Sequence, residues 1–413
     1  MYNKGVDKVI LHCDLNNFYA SVEQLSHPEF DGLPIAVSGN PEVRHGIVLA
    51  KNMLAKNAGV TTGEPLWSAR RKCPDIVFLP PHFEDYVRIS KEVFAIYTEF
   101  TDRVESFGLD ECWLDVTASV RLLGDGKTIA DKIRETVKAR TGLTISVGVS
   151  FTKVLAKLGS DLKKPDATVV LSRENYMDVI GNMPPSVLIM IGSRTAAKLH
   201  DLGITTVRRL AEADRNLLRS RFGIIADKMS DAARGVENGE VSLYYSTRIP
   251  KSVSHGTTTP RDMTSEDDAR TVIYALSELV AMRLRRYNMT ASGISLSLRR
   301  ADLSGMSRQC VLPRFTSNAT DIAEGAMKLL SEMHTFPAPL RALSVGATRL
   351  SQSGAEQLSL FDDEYAGREE KLEKCVDSIR GKYGYKAMKR GVVMDGDIVL
   401  NLHEEDDFLP FKR

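Results

Sequence analysis

The sequence predicts a multidomain α+β protein, and three observations predict it. The chain has 413 residues, more than a single hydrophobic core usually serves, so roughly two to four domains are expected. Short β-rich runs alternate with helical patterns up to residue 175, and a helical stretch follows to about 234. Residues 250–352 then read strand, helix, strand, strand, helix, strand, a small unit of βαββαβ order.

The strands of the first part are read from β-branched and apolar runs. They are KVILHC (8–13), PIAVSG (34–39), GIVLA (46–50), VESFGL (104–109), CWLDV (112–116) and LTISVGV (143–149). Helical spacing of apolar residues places helices at 84–101 and 127–141. The middle stretch turns on short glycine loops, DLGIT and RFGII, and 235–250 reads as a linker. In the βαββαβ unit the helices are expected at 265–287 and 318–334, and the last three strands at 291–300, 307–314 and 340–350. Loop composition follows residue 352, then one helix at 368–382 and a polar end.

Composition narrows the function classes. With 43% hydrophobic and 26% charged residues the chain reads as an ordinary soluble protein. No apolar run reaches bilayer-spanning length, and the start MYNKGVDKV has no secretory pattern, so no membrane partner is expected. Cysteines 13, 73, 112, 310 and 375 are scattered without a CxxC pair, which argues against structural zinc and a disulfide framework and suits a reducing cytoplasm. The net charge of +1 hides a polarity. Residues 247–352 carry 14 Lys and Arg against 9 Asp and Glu, whereas the tail from 353 carries 10 against 14. A locally basic region on a neutral chain points to a polyanion partner. Neither GxGxxG nor GxxxxGK[ST] occurs, so neither common nucleotide loop is present.

Three constellations carry chemistry. Asp14 ends the apolar run VILHC, and Asp110 and Glu111 sit between two β-rich runs in SFGLDECWLD. Carboxylates at strand ends are costly to bury without a cation or hydrogen bonds, and three of them converging would suit a pair of Mg²⁺ ions. Neighbours on a flat strand face opposite ways, so Asp110 and Glu111 cooperate only if the hairpin bends, which Gly108 allows. The plainer reading is a solvated turn. The second constellation is basic: Lys153 and Lys157 lie four apart on a helical pattern, and Lys163 and Lys164 precede Pro165. They could neutralise a triphosphate, or form a solvated face. The third is the helix, glycine turn, helix rhythm of 189–214, whose turn amides could hold a DNA phosphate or simply join two helices.

Taken together, CDLNNFYASVE, FGLDECWLD, SVGVSFTKVLAKLGSDLKKPD and LGITT occur in the order and spacing of the Y-family translesion DNA polymerases, and the chain resembles that family from residue 8 to about 350. The bacterial DinB and UmuC branches are both within reach. CDLNNFYASVE, with Asn16, looks more like UmuC, while the overall type resembles bacterial DNA polymerase IV. The resemblance implies a right-hand polymerase with a ferredoxin-like palm (1–18 and 82–175), small fingers (19–81), a helical thumb with a helix–hairpin–helix (176–239), a linker (240–250), a βαββαβ little finger (251–352) and a tail (353–413). It implies that Asp14, Asp110 and Glu111 are the catalytic carboxylates and hold two Mg²⁺ ions. Tyr19 matches the steric gate that excludes a 2′-hydroxyl. Asn17 and Phe18 match residues whose backbone amides approach the triphosphate, and Lys164 matches a triphosphate-binding lysine. Lys56 stands where many relatives have arginine. Met53 stands where many have a phosphate-binding tyrosine, so that role does not carry over. In the hairpin only Gly192 matches, within IMIG, as a DNA-backbone contact.

Beyond the body, EQLSLFDD (356–363) resembles the bacterial sliding-clamp-binding pentapeptide. Gln357 would be its polar anchor and Leu358, Leu360 and Phe361 its apolar contacts. KYGYKAMKRG resembles an end segment of some family members. The implied activity is low-fidelity, DNA-templated DNA synthesis in damage tolerance, with primer–template DNA, dNTP and the β sliding clamp as partners, a UmuD-like protein as a further one, and a monomeric state. Small residues Gly46, Ala50, Ala55, Ala58 and Gly59 suit a loose pocket over the templating base. Induction in the SOS response and a mutator character go with that family. The alternative is a catalytically inactive family member serving as a clamp-bound adaptor, which the presence of all three acids disfavours.

Overall fold

The computed structural model describes residues 7–40, 46–236, 239–246, 249–352, 364–384 and 387–393. These form two compact units, the first from 7–39 and 47–246 and the second from 249 onward. The expected clamp peptide at 356–363 lies outside the described residues.

The first unit is built on a five-stranded sheet. Its strands are β1 (Ile10–Leu15), β5 (Val104–Ser106), β6 (Glu111–Asp115), β7 (Ile145–Ser150) and β8 (Thr168–Leu171), in the order β5-β6-β1-β7-β8. β5, β6, β1 and β7 pair antiparallel with one another while β8 joins β7 in parallel, and with the helices between them those four make the ferredoxin-like βαββαβ layer. β1 is buried at every position because it is central, which is why VILHC reads as a continuous apolar run. Between β1 and β5 the chain forms α1 (Phe18–Ser26), then a small sheet of β2 (Ile35–Ser38), β3 (Val48–Lys51) and β4 (Val77–Leu79) with α2 (Met53–Asn57) and α3 (Leu66–Lys72), and then α4 (Phe83–Thr98). α5 (Val120–Leu123) and α6 (Gly126–Thr141) follow β6. α4 and α6 cover one face of the large sheet, burying Tyr86, Phe94, Tyr97, Ile129 and Ile133 against Leu11, Cys13 and Leu114.

α7 (Lys153–Leu162) lies along β7, begun by Thr152, whose side chain accepts from Leu155 N. Two glycines permit the close approach. A Cβ on Gly148 would lie 1.9 Å from the Ala156 carbonyl oxygen, and one on Gly159 would lie 3.0 Å from Gly148 Cα. The helical part contains α8 (Tyr176–Ile180), α9 (Ser193–Asp201), α10 (Val207–Glu212), α11 (Arg215–Phe222) and α12 (Ile225–Ala233), packed around Leu199, Val207, Leu210, Leu218 and Met229. Gly203, at φ +75°, makes the turn between α9 and α10.

The second unit runs β9 (Val253–Met263), α13 (Glu266–Arg286), β10 (Met289–Arg300), β11 (Gly305–Thr316), α14 (Ala319–Met333) and β12 (Leu340–Gln352), the βαββαβ sequence expected. Its strand order is β11-β10-β12-β9, so the same element order is wound differently from the first unit. A capping box of Ser265 and Asp268 opens α13. α15 (Glu364–Tyr383) returns to this unit. Arg380, 3% exposed, donates to Glu278 on α13 at 3.0 Å, and Arg390 bridges Glu278 and Glu373 at 2.9 and 2.7 Å. Arg285 reaches Asp377 at 2.6 Å and Glu373 at 3.1 Å. The end segment is therefore fastened to the helical layer by buried ion pairs, which loop composition did not announce.

Candidate active site

The site lies where β1 ends and β6 begins. Asp14 is the register partner of Glu111 in the antiparallel ladder, and His12 lies two residues before Asp14 on the same face. Gly108, at φ +107°, bends the hairpin ahead of Asp110, whose carbonyl accepts from Leu15 N at 3.0 Å. A bend is therefore present just before Asp110, where Gly108 allowed one.

α7 supplies the counter-charge. Lys157 Nζ stands 3.2 Å from Asp14 Oδ2 and 2.9 Å from Glu111 Oε2. Lys164 Nζ is 2.7 Å from Asp14 Oδ2, and both lysines also reach Asp161. Lys153 belongs elsewhere: it binds Glu105 at 2.7 Å and the Glu240 carbonyl at 3.2 Å. Lys163 is exposed. Of the four lysines grouped by sequence, two reach the carboxylates.

The electrostatics follow from burial and crowding. Burial, then Glu111 and Asp14, push the Asp110 carboxyl up to about 6. Burial would also raise Glu111, but the His12 imidazole and the Lys157 ammonium outweigh it and hold that carboxyl low. Burial opposes the charge on Lys157, yet Glu111, Asp14 and Asp161 together raise its pKa above the ordinary value. Burial keeps His12 low, and its Nδ1 meets Ser160 Oγ at 2.8 Å.

Glu111 Oε2 is buried, and its close polar neighbours are the Lys157 ammonium at 2.9 Å and His12 Nε2 at 3.3 Å. Two largely buried carboxylates that already share one cation form an oxygen donor set that fits a hard divalent cation. The ligands are not yet closed around a common point: among the described residues no three His, Cys, Asp or Glu side chains form a group that could hold one ion. The Lys157 ammonium lies between two of the expected ligands instead.

The aromatic pair sits beside the acids. Asn17, in the left-handed region at φ 52°, turns the chain from β1 into α1, a conformation asparagine tolerates. Phe18 is buried, while Tyr19 is half-buried and stacks on Tyr86 with centroids 4.2 Å apart and planes 10° off parallel. Burial and the Asp110 charge raise the Tyr19 hydroxyl pKa. Lys56 is exposed on α2, near Lys51, and Gly192 is the exposed residue before α9. Sequence reasoning missed His12, Glu23 and Tyr86. His12 carried a signal, a polar residue in an apolar strand two places before Asp14, but Tyr86 is linked to Tyr19 only through the fold.

A ferredoxin-like sheet with carboxylates at adjacent strand ends, lysines over them and an aromatic shelf beside them is the arrangement of a nucleotide-polymerising palm. Comparison with known proteins agrees. The impB/mucB/samB family model matches residues 13–161, and the model of that family's C-terminal domain matches 250–360. DNA polymerase IV of Acetivibrio thermocellus is 43% identical over 390 residues, covering 94% of this chain and 98% of the relative. DNA polymerase IV of Clostridium acetobutylicum is 34% identical, covering 94% and 99%. A solved Y-family DNA polymerase chimera of Dbh and Dpo4 superposes with a TM-score of 0.73 at 22% identity, covering 84% of this chain and all of that one, a likeness of fold. The chain belongs to the Y family of DNA polymerases.

Proposed function

We propose that this chain extends a DNA primer on a template by nucleotidyl transfer at Asp14, Asp110 and Glu111. The class of activity is DNA-directed DNA synthesis, of the translesion kind that serves DNA repair. The observation that carries the assignment to these residues is the direct cross-strand pairing of Asp14 with Glu111, with the Lys157 ammonium shared between their carboxylates. No helix among the described residues is long and apolar enough to cross a membrane. Nothing favours the inactive-adaptor reading.

Asp14, Asp110 and Glu111 would hold two Mg²⁺ ions, the lysine ammonium moving aside. Bound there, the ions would supply Lewis acidity at the primer 3′-hydroxyl and the α-phosphate. Lys164 and Lys157, released from the carboxylates, would face the triphosphate as point charges. The first-turn amides of α1 at Asn17 and Phe18 have no carbonyl partner within the helix and would donate to phosphate oxygens. Lys56 would add positive charge from the fingers, and the Tyr19 ring would lie under the sugar and exclude a 2′-hydroxyl. In this reading the palm is 1–18 and 82–175, the fingers 19–81, the thumb 176–239 and the little finger 251–352. Gly192 would present its backbone to a DNA phosphate. Gln357, Leu358, Leu360 and Phe361 would dock on a sliding clamp, and a UmuD-like partner, a monomeric state and a cytoplasmic location complete the proposal.

Primer extension with Mg²⁺ on intact and lesion-bearing templates tests it. Wild type should extend both, and Asp14→Ala should extend neither while still binding the duplex. Extension by Asp14→Ala at the wild-type rate would remove these residues from the chemistry.

A further inference from the structure

Glu23 is 2% exposed and, among the described residues, carries no lysine or arginine partner in its hydrogen bonds, yet its carboxylate is well satisfied. It accepts from the His82 backbone N–H at 3.2 Å, meets His82 Nδ1 at 2.9 Å and accepts a short hydrogen bond from the Tyr86 hydroxyl. His82 is the residue before the first turn of α4, so the carboxylate also sits at the positive end of a 16-residue helix. Two helices are joined here by matched i, i+4 pairs. Tyr19 and Glu23 are neighbours on one face of α1, and His82 and Tyr86 are neighbours at the start of α4.

Tyr86 touches both members of the α1 pair. Its ring stacks on Tyr19 and its hydroxyl is fixed by Glu23 and by His82 N–H at 3.2 Å. The Phe83 ring packs nearly perpendicular to both, with centroids 6.0 Å from Tyr19 and 5.6 Å from Tyr86. The Tyr86 ring is fully buried, so it has no freedom to turn unless that hydroxyl loses its partner. A residue that excludes a hydroxyl by volume works only if its ring stays in place, because displacement by a fraction of an ångström relieves the clash.

We infer that Tyr86 and Glu23 are positioning residues that lock the Tyr19 ring and thereby set how strongly the enzyme discriminates between deoxyribose and ribose. The inference rests on the reading of Tyr19 as the sugar gate. The Glu23 carboxylate holds the Tyr86 hydroxyl, Tyr86 backs the face of Tyr19, and the other edge of Tyr19 is left for the sugar.

Single-nucleotide incorporation with dNTP and with the matching rNTP tests it through the ratio of kcat/KM values. Tyr86→Phe removes one oxygen and keeps the stack. Glu23→Gln keeps the shape and removes the charge. Tyr86→Phe should raise the rNTP-to-dNTP ratio about tenfold, the order set by one charge-assisted hydrogen bond, and Glu23→Gln should raise it in the same direction. Should Tyr86→Phe not fold, Glu23→Gln gives the same reading. Tyr19→Ala, measured alongside, separates the two claims. An unchanged ratio in Tyr86→Phe and Glu23→Gln with a relaxed ratio in Tyr19→Ala overturns the positioning role and leaves the gate. An unchanged ratio in Tyr19→Ala overturns the gate itself. Equal losses for both sugars show that Tyr86 and Glu23 are merely structural, which also overturns the inference.

Discussion

Asp14 and Glu111 face each other across the β1–β6 ladder, and the ammonium of Lys157 stands within 3.2 Å of the first and 2.9 Å of the second. Two mostly buried carboxylates repel, so the fold supplies an internal cation where an external one is expected to bind.

Lys157→Met should therefore weaken the metal-free protein. Leaving the two acids without their shared partner is expected to cost about 3 kcal/mol. Magnesium should then raise the Tm of the variant more than that of wild type. Thermal melts with and without Mg²⁺ measure this, and equal shifts in the two proteins would count against a metal site at Asp14 and Glu111.

Asp110 gives a pH signature. Its folded-state value of about 6 lies above the ordinary 3.8, so folding is disfavoured by its charge at pH above about 6, and the penalty is relieved as pH falls through 6 toward 4. Asp110→Asn should stabilise the metal-free protein at pH 8 by up to about 2 kcal/mol, and the gain should vanish near pH 4. Urea titrations at the two pH values check the sign.

Gly148→Ala should damage the site from behind. Its Cβ would meet the Ala156 carbonyl oxygen at 1.9 Å and Ser160 N at 2.5 Å, both backbone atoms of α7. The helix carrying Lys157 would have to move. Destabilisation of about 3 kcal/mol is expected from overpacking, together with weaker dNTP binding. A Tm near wild type would show that α7 is not held so closely.

In the second unit, Arg380→Ala removes one arginine from the buried Glu278 carboxylate and should destabilise that unit by about 3 kcal/mol. Glu278→Leu combined with Arg380→Leu should lose less than the sum of the single changes, because neither charge is left buried alone. Denaturant melts of the four proteins give the coupling.

Much of this was legible in the sequence, for physical reasons. Central strands such as β1 and β7 are buried on both faces and read as apolar runs, and the second unit's alternation of long strands and helices placed all six elements. β4 and β8, strands of three and four residues, were not expected, although β2, β3 and β5 are equally short and were read from their apolar runs. α1 was hidden by its opening on two aromatics. Among the site residues, Asp14, Asp110 and Glu111 stood out because acids at strand ends need a partner. The division of labour among the lysines did not, since Lys153 and Lys157 share one helix but meet different neighbours. The Glu278, Arg380 and Arg390 cluster joins residues about a hundred apart in the chain, a pairing that no local pattern encodes.

The most direct measurement is Mg²⁺-dependent primer extension by Asp110→Ala, normalised to the fraction of enzyme bound to primer–template. The account predicts binding close to wild type with extension lost by at least about a thousandfold, as expected when a metal-holding carboxylate is removed. Extension near the wild-type rate at equal occupancy would contradict it.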